Sequence, residues 1–115
     1  MHEISLVQNL FQQLKDLARE NNASKIHTVT VEIGPLSGVV VDSFQFGFDT
    51  LAAGEEILKE AKLVVQVPEV DYQCSDCGKI SSSSGARPER CLQCGDSLLI
   101  PRGGEDLLLL QVEMQ

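Results

Sequence analysis

The chain has 115 residues, of which 43% are hydrophobic, and its nine basic and seventeen acidic side chains give a formal net charge of −8. That length fits one compact domain, or one domain with a small satellite, and can bury an aliphatic core. The acidic balance, with one Tyr, four Phe and no Trp, argues against nucleic-acid binding, which uses basic stripes and stacking aromatics. It favours cations or basic protein partners.

Membrane insertion and secretion are not expected. The longest apolar run, Leu107 to Leu110, has four residues, far fewer than the ~20 of a membrane helix. The opening Met1-His2-Glu3 has no basic segment of the kind that begins a signal peptide. We therefore expect a cytoplasmic protein, and in that reducing compartment paired cysteines indicate metal ligands rather than disulfides.

The amino-terminal part predicts a helix followed by a strand. Apolar side chains at helical spacing predict an amphipathic helix over about residues 4–20, which Asn21 and Asn22 end in a left-handed turn. Alternating apolar and polar residues then predict a half-buried strand over 26–33, which Gly34 breaks.

A second helix and a second strand follow. Asp42 is expected to cap a helix that ends at Gly54, and alternating apolar residues over 63–67 predict a strand ending at Pro68. From about residue 72 to 101 the apolar periodicity is lost. A last strand follows, and its apolar face is expected to consist of Leu108, Leu110, Val112 and Met114.

These elements predict an α+β fold. We expect a three-stranded mixed β-sheet with two α-helices packed on it, plus a small zinc-ribbon domain inserted before the last strand. The predicted α/β domain comprises residues 1–70 and is completed by the carboxyl-terminal strand 104–115. The predicted zinc ribbon comprises residues 71–103.

The insert carries the strongest chemical signal in the sequence, two C-x-x-C pairs separated by thirteen residues: Cys74 with Cys77, and Cys91 with Cys94. Two such turns supply the four thiolates of a tetrahedral zinc site, and with all positions filled by sulfur the zinc is structural rather than catalytic. Gly78 and Gly95 follow the pairs, where a left-handed residue lets the turn aim backbone N–H groups at the sulfurs. Metal-free cysteines and a thioredoxin-like redox pair are the alternatives.

The amino terminus offers a second metal site. The terminal amine of Met1, the backbone amide of His2 and the His2 Nδ1 atom can chelate one ion in consecutive small rings, with Glu3 as a source of a fourth donor. Nitrogen-rich, near-planar coordination suits Ni(II) or Cu(II). Taken alone this pattern is weak, because any chain that begins Met-His has it, and a solvated terminus is the alternative.

The two metal motifs occur together with several others that resemble one family. These are Met1-His2-Glu3-Ile4-Ser5-Leu6, Glu32-Ile33-Gly34, Leu36-Ser37-Gly38-Val39 and Phe44-x-Phe46-x-Phe48. With the paired cysteines, over nearly the whole chain, they closely resemble the HypA/HybF family of accessory proteins that help insert nickel into [NiFe]-hydrogenases.

The resemblance implies that His2 and the Met1–Glu3 backbone bind Ni(II), while the four cysteines bind zinc. It implies transfer of nickel to the hydrogenase large subunit together with a nickel-binding GTPase and, in some organisms, service to urease maturation. Some members carry an acidic residue after the Leu-Ser turn; here valines 39–41 occupy that stretch and Asp42 is the nearest candidate ligand. Glycines replace the histidines that flank the cysteines in some members, which argues against a ligand-exchange switch.

The leading hypothesis is therefore a nickel metallochaperone that is not an enzyme. The alternative is a zinc-ribbon adaptor for protein interactions that transfers no nickel, and a thiol redox enzyme is a third possibility. His27, the only other histidine, is expected at the surface.

Overall fold

The computed structural model describes residues 2–84, 88–95 and 98–115, with His2 described by its backbone alone. Two helices and six strands follow one another along the chain: α1 (His2–Glu20), β1 (Ile26–Ile33), α2 (Val41–Ala52), β2 (Lys62–Gln66), β3 (Val70–Cys74), β4 (Ile80–Ser83), β5 (Leu99–Arg102) and β6 (Leu107–Met114). A short 3₁₀ turn, Glu56–Leu58, precedes β2. Within the described ranges, neither helix is long and apolar enough to cross a bilayer.

The main sheet has the strand order β2-β1-β6. Strands β1 and β2 run parallel, and α2 supplies the crossover that a parallel pair requires. Strand β6 pairs antiparallel with β1 on its other side. The predicted mixed three-stranded sheet with two helices is confirmed.

One aliphatic and aromatic core joins both helices to this sheet. The rings of Phe11 on α1 and Phe48 on α2 meet edge to face, 5.3 Å apart between centroids and at 85°. Gly47 allows the helices to approach closely, since a β-carbon there would lie 3.1 Å from Cδ1 of Ile4. All four apolar residues of β1 contribute to the same core, namely Ile26, Val29, Val31 and Ile33.

The helix ends differ in part from the prediction. Helix α1 begins at His2, two residues before the predicted start. It ends as expected, because Asn22 takes the left-handed conformation at φ 53°. Helix α2 is capped by Val40, without a side-chain hydrogen bond, so the prediction that Asp42 caps it was wrong. Asp42 lies in the first helical turn instead, where a carboxylate still stabilises the positive end of the helix dipole.

The orientation of β6 also differs from the prediction. Its register against β1 shifts between Thr30 and Val31, which leaves Leu110 as the extra residue of a β-bulge. Before the bulge the residues that face inward are Leu107 and Leu109, and after it they are Val112 and Met114. All four pack against the core. Leu108 and Leu110 are 44% and 47% exposed, so their predicted burial was wrong. The alternation of residue types cannot reveal a bulge when four leucines are consecutive.

The insert forms a second sheet with the order β4-β3-β5, antiparallel throughout. Its small core consists of Val70, Tyr72, Cys74, Cys91 and Leu99. The sequence of the insert shows no apolar period because these strands have only four or five residues and bury few side chains. The predicted zinc-ribbon insert is confirmed in outline.

The two sheets meet at a close approach of two glycines. The Gly34 N–H donates to the Asp106 carbonyl at 2.8 Å, and the Leu36 N–H donates to the Gly104 carbonyl at 2.7 Å. A β-carbon on Gly34 would lie 2.2 Å from the Gly104 oxygen, a distance that no side chain could occupy without moving backbone. The chain thus leaves the main sheet at β2 and re-enters it beside Gly34.

This junction can be tested with a matched pair of substitutions. Gly34→Ala should lower the free energy of unfolding by about 1–3 kcal/mol or more, because the added methyl group overpacks against fixed backbone. Gly54→Ala serves as the control, since its β-carbon would meet only the Leu51 oxygen at an ordinary 3.6 Å. Urea unfolding measures both, and equal stability of the two variants would contradict the close approach.

Candidate metal centres

The four cysteines converge although they come from two separate parts of the insert. Cys74 ends β3, and Cys91 lies in the loop before β5. The Cys74 and Cys94 sulfurs are 3.4 Å apart, those of Cys77 and Cys91 are 3.5 Å apart, and all four lie within 4.8 Å of one another. No disulfide joins them.

Each pair of cysteines is held by the same tight turn. The Gly78 N–H donates to the Cys74 carbonyl, and the Gly95 N–H donates to the Cys91 carbonyl, both at 3.0 Å. The two glycines adopt φ values of +76° and +78°, as predicted, and this left-handed conformation favours glycine. The repeated turn presents two sulfurs on the same side of each loop.

Backbone N–H groups favour the thiolate form of Cys91. The backbone N–H groups of Cys94 and Gln93 lower the pKa of the Cys91 thiol to about 6. The Gln93 nitrogen lies 3.4 Å from this sulfur. At Cys77 the backbone N–H of Lys79 lowers the pKa, but burial and the neighbouring Cys91 sulfur outweigh it, so the pKa is raised. A cation among the four sulfurs would stabilise the thiolate form of all of them.

The donor set fits a structural zinc ion. With Zn–S bonds of about 2.3 Å, the sulfurs of a regular tetrahedron are roughly 3.8 Å apart, close to the shorter separations found here. Four thiolates leave no coordination position for water or a substrate, which is the arrangement of a structural rather than a catalytic zinc. The arrangement of the cysteines is thus consistent with a structural zinc site.

The amino-terminal residues are placed at the start of α1. Residues His2 and Glu3 form the first turn of this helix, and the amide groups of a first turn have no acceptor within the helix. Met1 and the side chain of His2 lie outside the described residues. Glu3 is half-buried.

A contact links this terminus to the second helix. The Val40 N–H donates to the Glu3 carboxylate at 3.4 Å, where Val40 caps α2. Asp42, which is exposed, follows two residues later in the first turn of α2. No pattern in the sequence indicates the Glu3–Val40 contact, because its partners are 37 positions apart.

His27, Glu55 and Glu60 make contacts outside both candidate metal sites. His27 is exposed, as predicted, and its Nε2 atom lies 2.9 Å from the Gln115 side-chain oxygen. Glu55 is paired with Lys15 at 2.9 Å, and Glu60 forms an ion pair with Lys25. The Lys25 ammonium lowers the pKa of Glu60 by hydrogen bonding and by charge.

Comparison with known proteins agrees with the fold and identifies the family of the chain. A family model described as hydrogenase/urease nickel incorporation, metallochaperone, hypA matches residues 1–114. The chain belongs to the HypA family. Hydrogenase maturation factor HypA of Aquifex aeolicus is 35% identical over 115 residues, covering 100% of this chain and 98% of that protein. The protein of the same name from Helicobacter hepaticus is 31% identical over 114 residues, covering 99% and 97%.

Two solved structures are similar as well. The solution structure of the Ni metallochaperone HypA from Helicobacter pylori has a TM-score of 0.66 and 28% identity, covering 97% of this chain and 96% of that one. A second, described as the solution structure of HypA protein, has a TM-score of 0.69 and 30% identity, covering 100% and 97%. HypA is thus a nickel metallochaperone family, which acts in hydrogenase and urease nickel incorporation.

The cysteine cluster gives a metal-removal prediction. Cys91→Ser should reduce bound zinc from one ion per chain to none and weaken zinc affinity more than about 100-fold. Losing a residue that merely supports a metal ligand already weakens metal affinity about 10–100-fold, and losing a ligand itself costs more. The NMR signals of the ribbon should then lose their dispersion, while those of the main core persist because no ribbon residue that the structure describes belongs to that core. Metal analysis and two-dimensional NMR measure this.

Ser75→Ala is the matched control for that experiment. Ser75 is exposed and adjacent to Cys74, and its backbone N–H bond to the Leu98 carbonyl survives the change. This variant should retain zinc. Full zinc content in Cys91→Ser would contradict the four-sulfur site.

Proposed function

We propose that this HypA protein binds Ni(II) through Met1, His2 and Glu3, with Asp42 as a further candidate ligand. It then delivers the nickel, with a GTPase partner, to the [NiFe]-hydrogenase large subunit. It also supplies nickel for urease maturation. A structural zinc, held by Cys74, Cys77, Cys91 and Cys94, maintains the ribbon. The observation that carries the nickel site is the position of His2 and Glu3 in the first turn of α1.

Their position in the first turn of α1 leaves the backbone amide nitrogens of these residues available to bind a metal ion. An amide nitrogen that binds Ni(II) must lose its proton, and in a helix interior this would also cost a hydrogen bond. The amide groups of the first turn have no helical acceptor, so binding there does not break α1. Nitrogen donors from the chain and an imidazole then provide the near-planar geometry that Ni(II) accepts.

The same position favours release. The positive end of the α1 dipole lies at the terminus and opposes a cation, whereas the Glu3 carboxylate attracts one. Glu3 also accepts the Val40 N–H, so ligation of nickel by this carboxylate competes with that contact. A site with few ligands and opposing charges suits an ion that is passed on.

The free amine provides the first test. A short extension before Met1 turns the amine into an amide and should reduce nickel binding from one ion per chain to none, because the first chelate ring is lost. The same extension placed after Gln115 leaves the terminus unchanged and should preserve binding. Isothermal titration with Ni(II) measures both, and full binding by the amino-terminal extension would refute the site.

The two histidines provide the second test. His2→Ala should abolish nickel binding yet retain zinc and the unfolding midpoint, since the side chain contributes a metal ligand. His27→Ala is the matched control, because His27 is the other histidine and is exposed. It should bind nickel like the wild type. Loss of nickel from His27→Ala alone would place the site elsewhere.

A protein-interaction adaptor without nickel transfer is the second candidate. Apolar side chains are exposed on the ribbon, with Leu92 at 86% and Leu98 at 58%. Ile80 and Ile100 flank Gln73 on the outer face of the second sheet and are about half exposed. If His2→Ala still supports hydrogenase maturation in cells, this second candidate is favoured.

We also propose the division into an α/β domain of residues 1–70 and 104–115 and a zinc ribbon of residues 71–103. The separate sheets and separate cores support it, with the first boundary falling at the start of β3, where Val70 already belongs to the second core. The two left-handed glycines Gly103 and Gly104 stand at the proposed boundary.

A further inference from the structure

The outer face of α2 carries an exposed aromatic ring. Phe46 is 72% exposed, whereas the three other phenylalanines and Tyr72 are buried. The core does not use this ring, because Phe44 and Phe48 fill the inner face of the same helix. A partner that covers such a ring gains the free energy of removing it from water. Single exposed apolar side chains are common at protein surfaces, so the neighbours of the ring decide what it can bind.

The neighbours of Phe46 on this face are acidic. Asp42 lies one turn before Phe46 and Asp49 lies one turn after it, at spacings that place all three side chains on one side of α2. Both aspartates are exposed, and α2 contains no lysine or arginine. Within the part of the chain that the structure describes, neither carboxylate forms an ion pair. The Gln45 amide donates to Asp49 at 3.2 Å, and this neutral group leaves the charge of the carboxylate in place.

The spacing of the two carboxylates indicates a ligand with two cationic groups rather than a single metal ion. Asp42 and Asp49 are seven residues apart in the helix, which corresponds to roughly 10 Å along its axis. Oxygen ligands lie about 2.0–2.6 Å from a calcium or magnesium ion, so these two carboxylates cannot share one. Two separate cationic groups with an apolar group between them match the face instead.

Arginine is the cationic side chain that fits this face best. Its planar guanidinium group stacks on an aromatic ring and donates two parallel hydrogen bonds to a carboxylate, whereas a lysine ammonium group is a point charge. Side chains one turn apart on a helix have Cβ atoms about 5–6 Å apart, so one arginine can contact both the Phe46 ring and a neighbouring carboxylate. The net charge of −8 also attracts a basic segment to the protein as a whole.

We propose that the outer face of α2 binds a helix of a basic protein partner, in which two arginines two turns apart flank an apolar side chain. The arginines pair with Asp42 and Asp49, and the apolar side chain covers Phe46 between them. A second copy of this chain would present the same carboxylates and be repelled. The face begins at the end of α2 that Glu3 contacts, beside the proposed nickel site. Binding of the helix requires no nickel and is independent of the proposed function.

A designed peptide tests this surface. The probe is a synthetic helix with two arginines two turns apart and a leucine between them on the same face. Its counterpart carries neutral citrulline in place of each arginine. Both are titrated into the zinc-loaded, nickel-free, full-length chain, and the backbone amide signals are followed by two-dimensional NMR. We expect the arginine peptide to shift the signals of residues 42–50, and the citrulline peptide to bind at least about tenfold more weakly, because it lacks the charge.

Two variants of the chain locate the contact, and Asp42 is left unchanged because it is also a candidate nickel ligand. Phe46→Ala and Asp49→Lys should each weaken binding of the arginine peptide at least about tenfold, since one removes the ring and the other reverses a charge. Both positions are exposed, so helix content by circular dichroism should match the wild type. Glu20→Lys is the matched control, because it changes the net charge by the same amount as Asp49→Lys but lies at the end of α1. It should bind the peptide nearly as the wild type does.

Four outcomes would overturn the proposal. The first two are a wild type that does not bind the arginine peptide and equal binding of the citrulline peptide. If Glu20→Lys weakens binding as much as Asp49→Lys, the attraction is a general one between a basic peptide and an acidic protein, and the proposed face is wrong. Shifts of the α2 signals with protein concentration alone, without peptide, would assign the face to a second copy of the chain. Nickel is absent throughout, so none of these results bears on the proposed function.

Discussion

The pairing of β6 with β1 determines the path of the chain through the main sheet and the insert. Strand β1 is the centre of the main sheet, and its two neighbours come from opposite sides of the insert in the sequence. The chain must therefore leave the sheet after β2, build the ribbon and return beside Gly34. The backbone hydrogen bonds of Gly34 and Leu36 to the returning segment fix that point of return. From there the last strand pairs with β1 and completes the main sheet.

The ribbon and the amino terminus differ in how much of their structure depends on a bound metal ion. Among the described residues, the core of the ribbon consists of five buried side chains, two of them from cysteines, and this is too little to order the ribbon without an ion. Binding energies of roughly 10–16 kcal/mol in zinc-finger peptides far exceed what such a core supplies. The amino terminus instead lies on a well-packed helix, so the proposed nickel site can gain and lose its ion while the fold stays intact.

The sequence predicted most of the architecture because long, regular patterns determine it. The amphipathic period of α1 and the alternation in β1 have one interpretation each, and two C-x-x-C pairs at this spacing indicate one site. The predictions failed where several patterns were equivalent. Asp42 fits both a cap and a first turn, and four consecutive leucines conceal the bulge at Leu110. The strands of the ribbon were too short to show a period.

The Glu3–Val40 contact and the glycine junction could not be predicted for a different reason. Each depends on the path of the chain in three dimensions, which brings residues far apart in sequence to within hydrogen-bonding distance. The Glu3–Val40 contact links the amino terminus to the start of α2, and it is the part of the proposed nickel site that required a structure.

Nickel and zinc are proposed to occupy separate sites with separate ligands. Titration of the zinc-loaded, untagged chain with Ni(II), with released zinc followed by a chromogenic chelator, distinguishes separate sites from a shared one. We expect one nickel ion bound per chain with zinc fully retained. Release of one zinc for each nickel bound would contradict it, because nickel would then occupy the four cysteines.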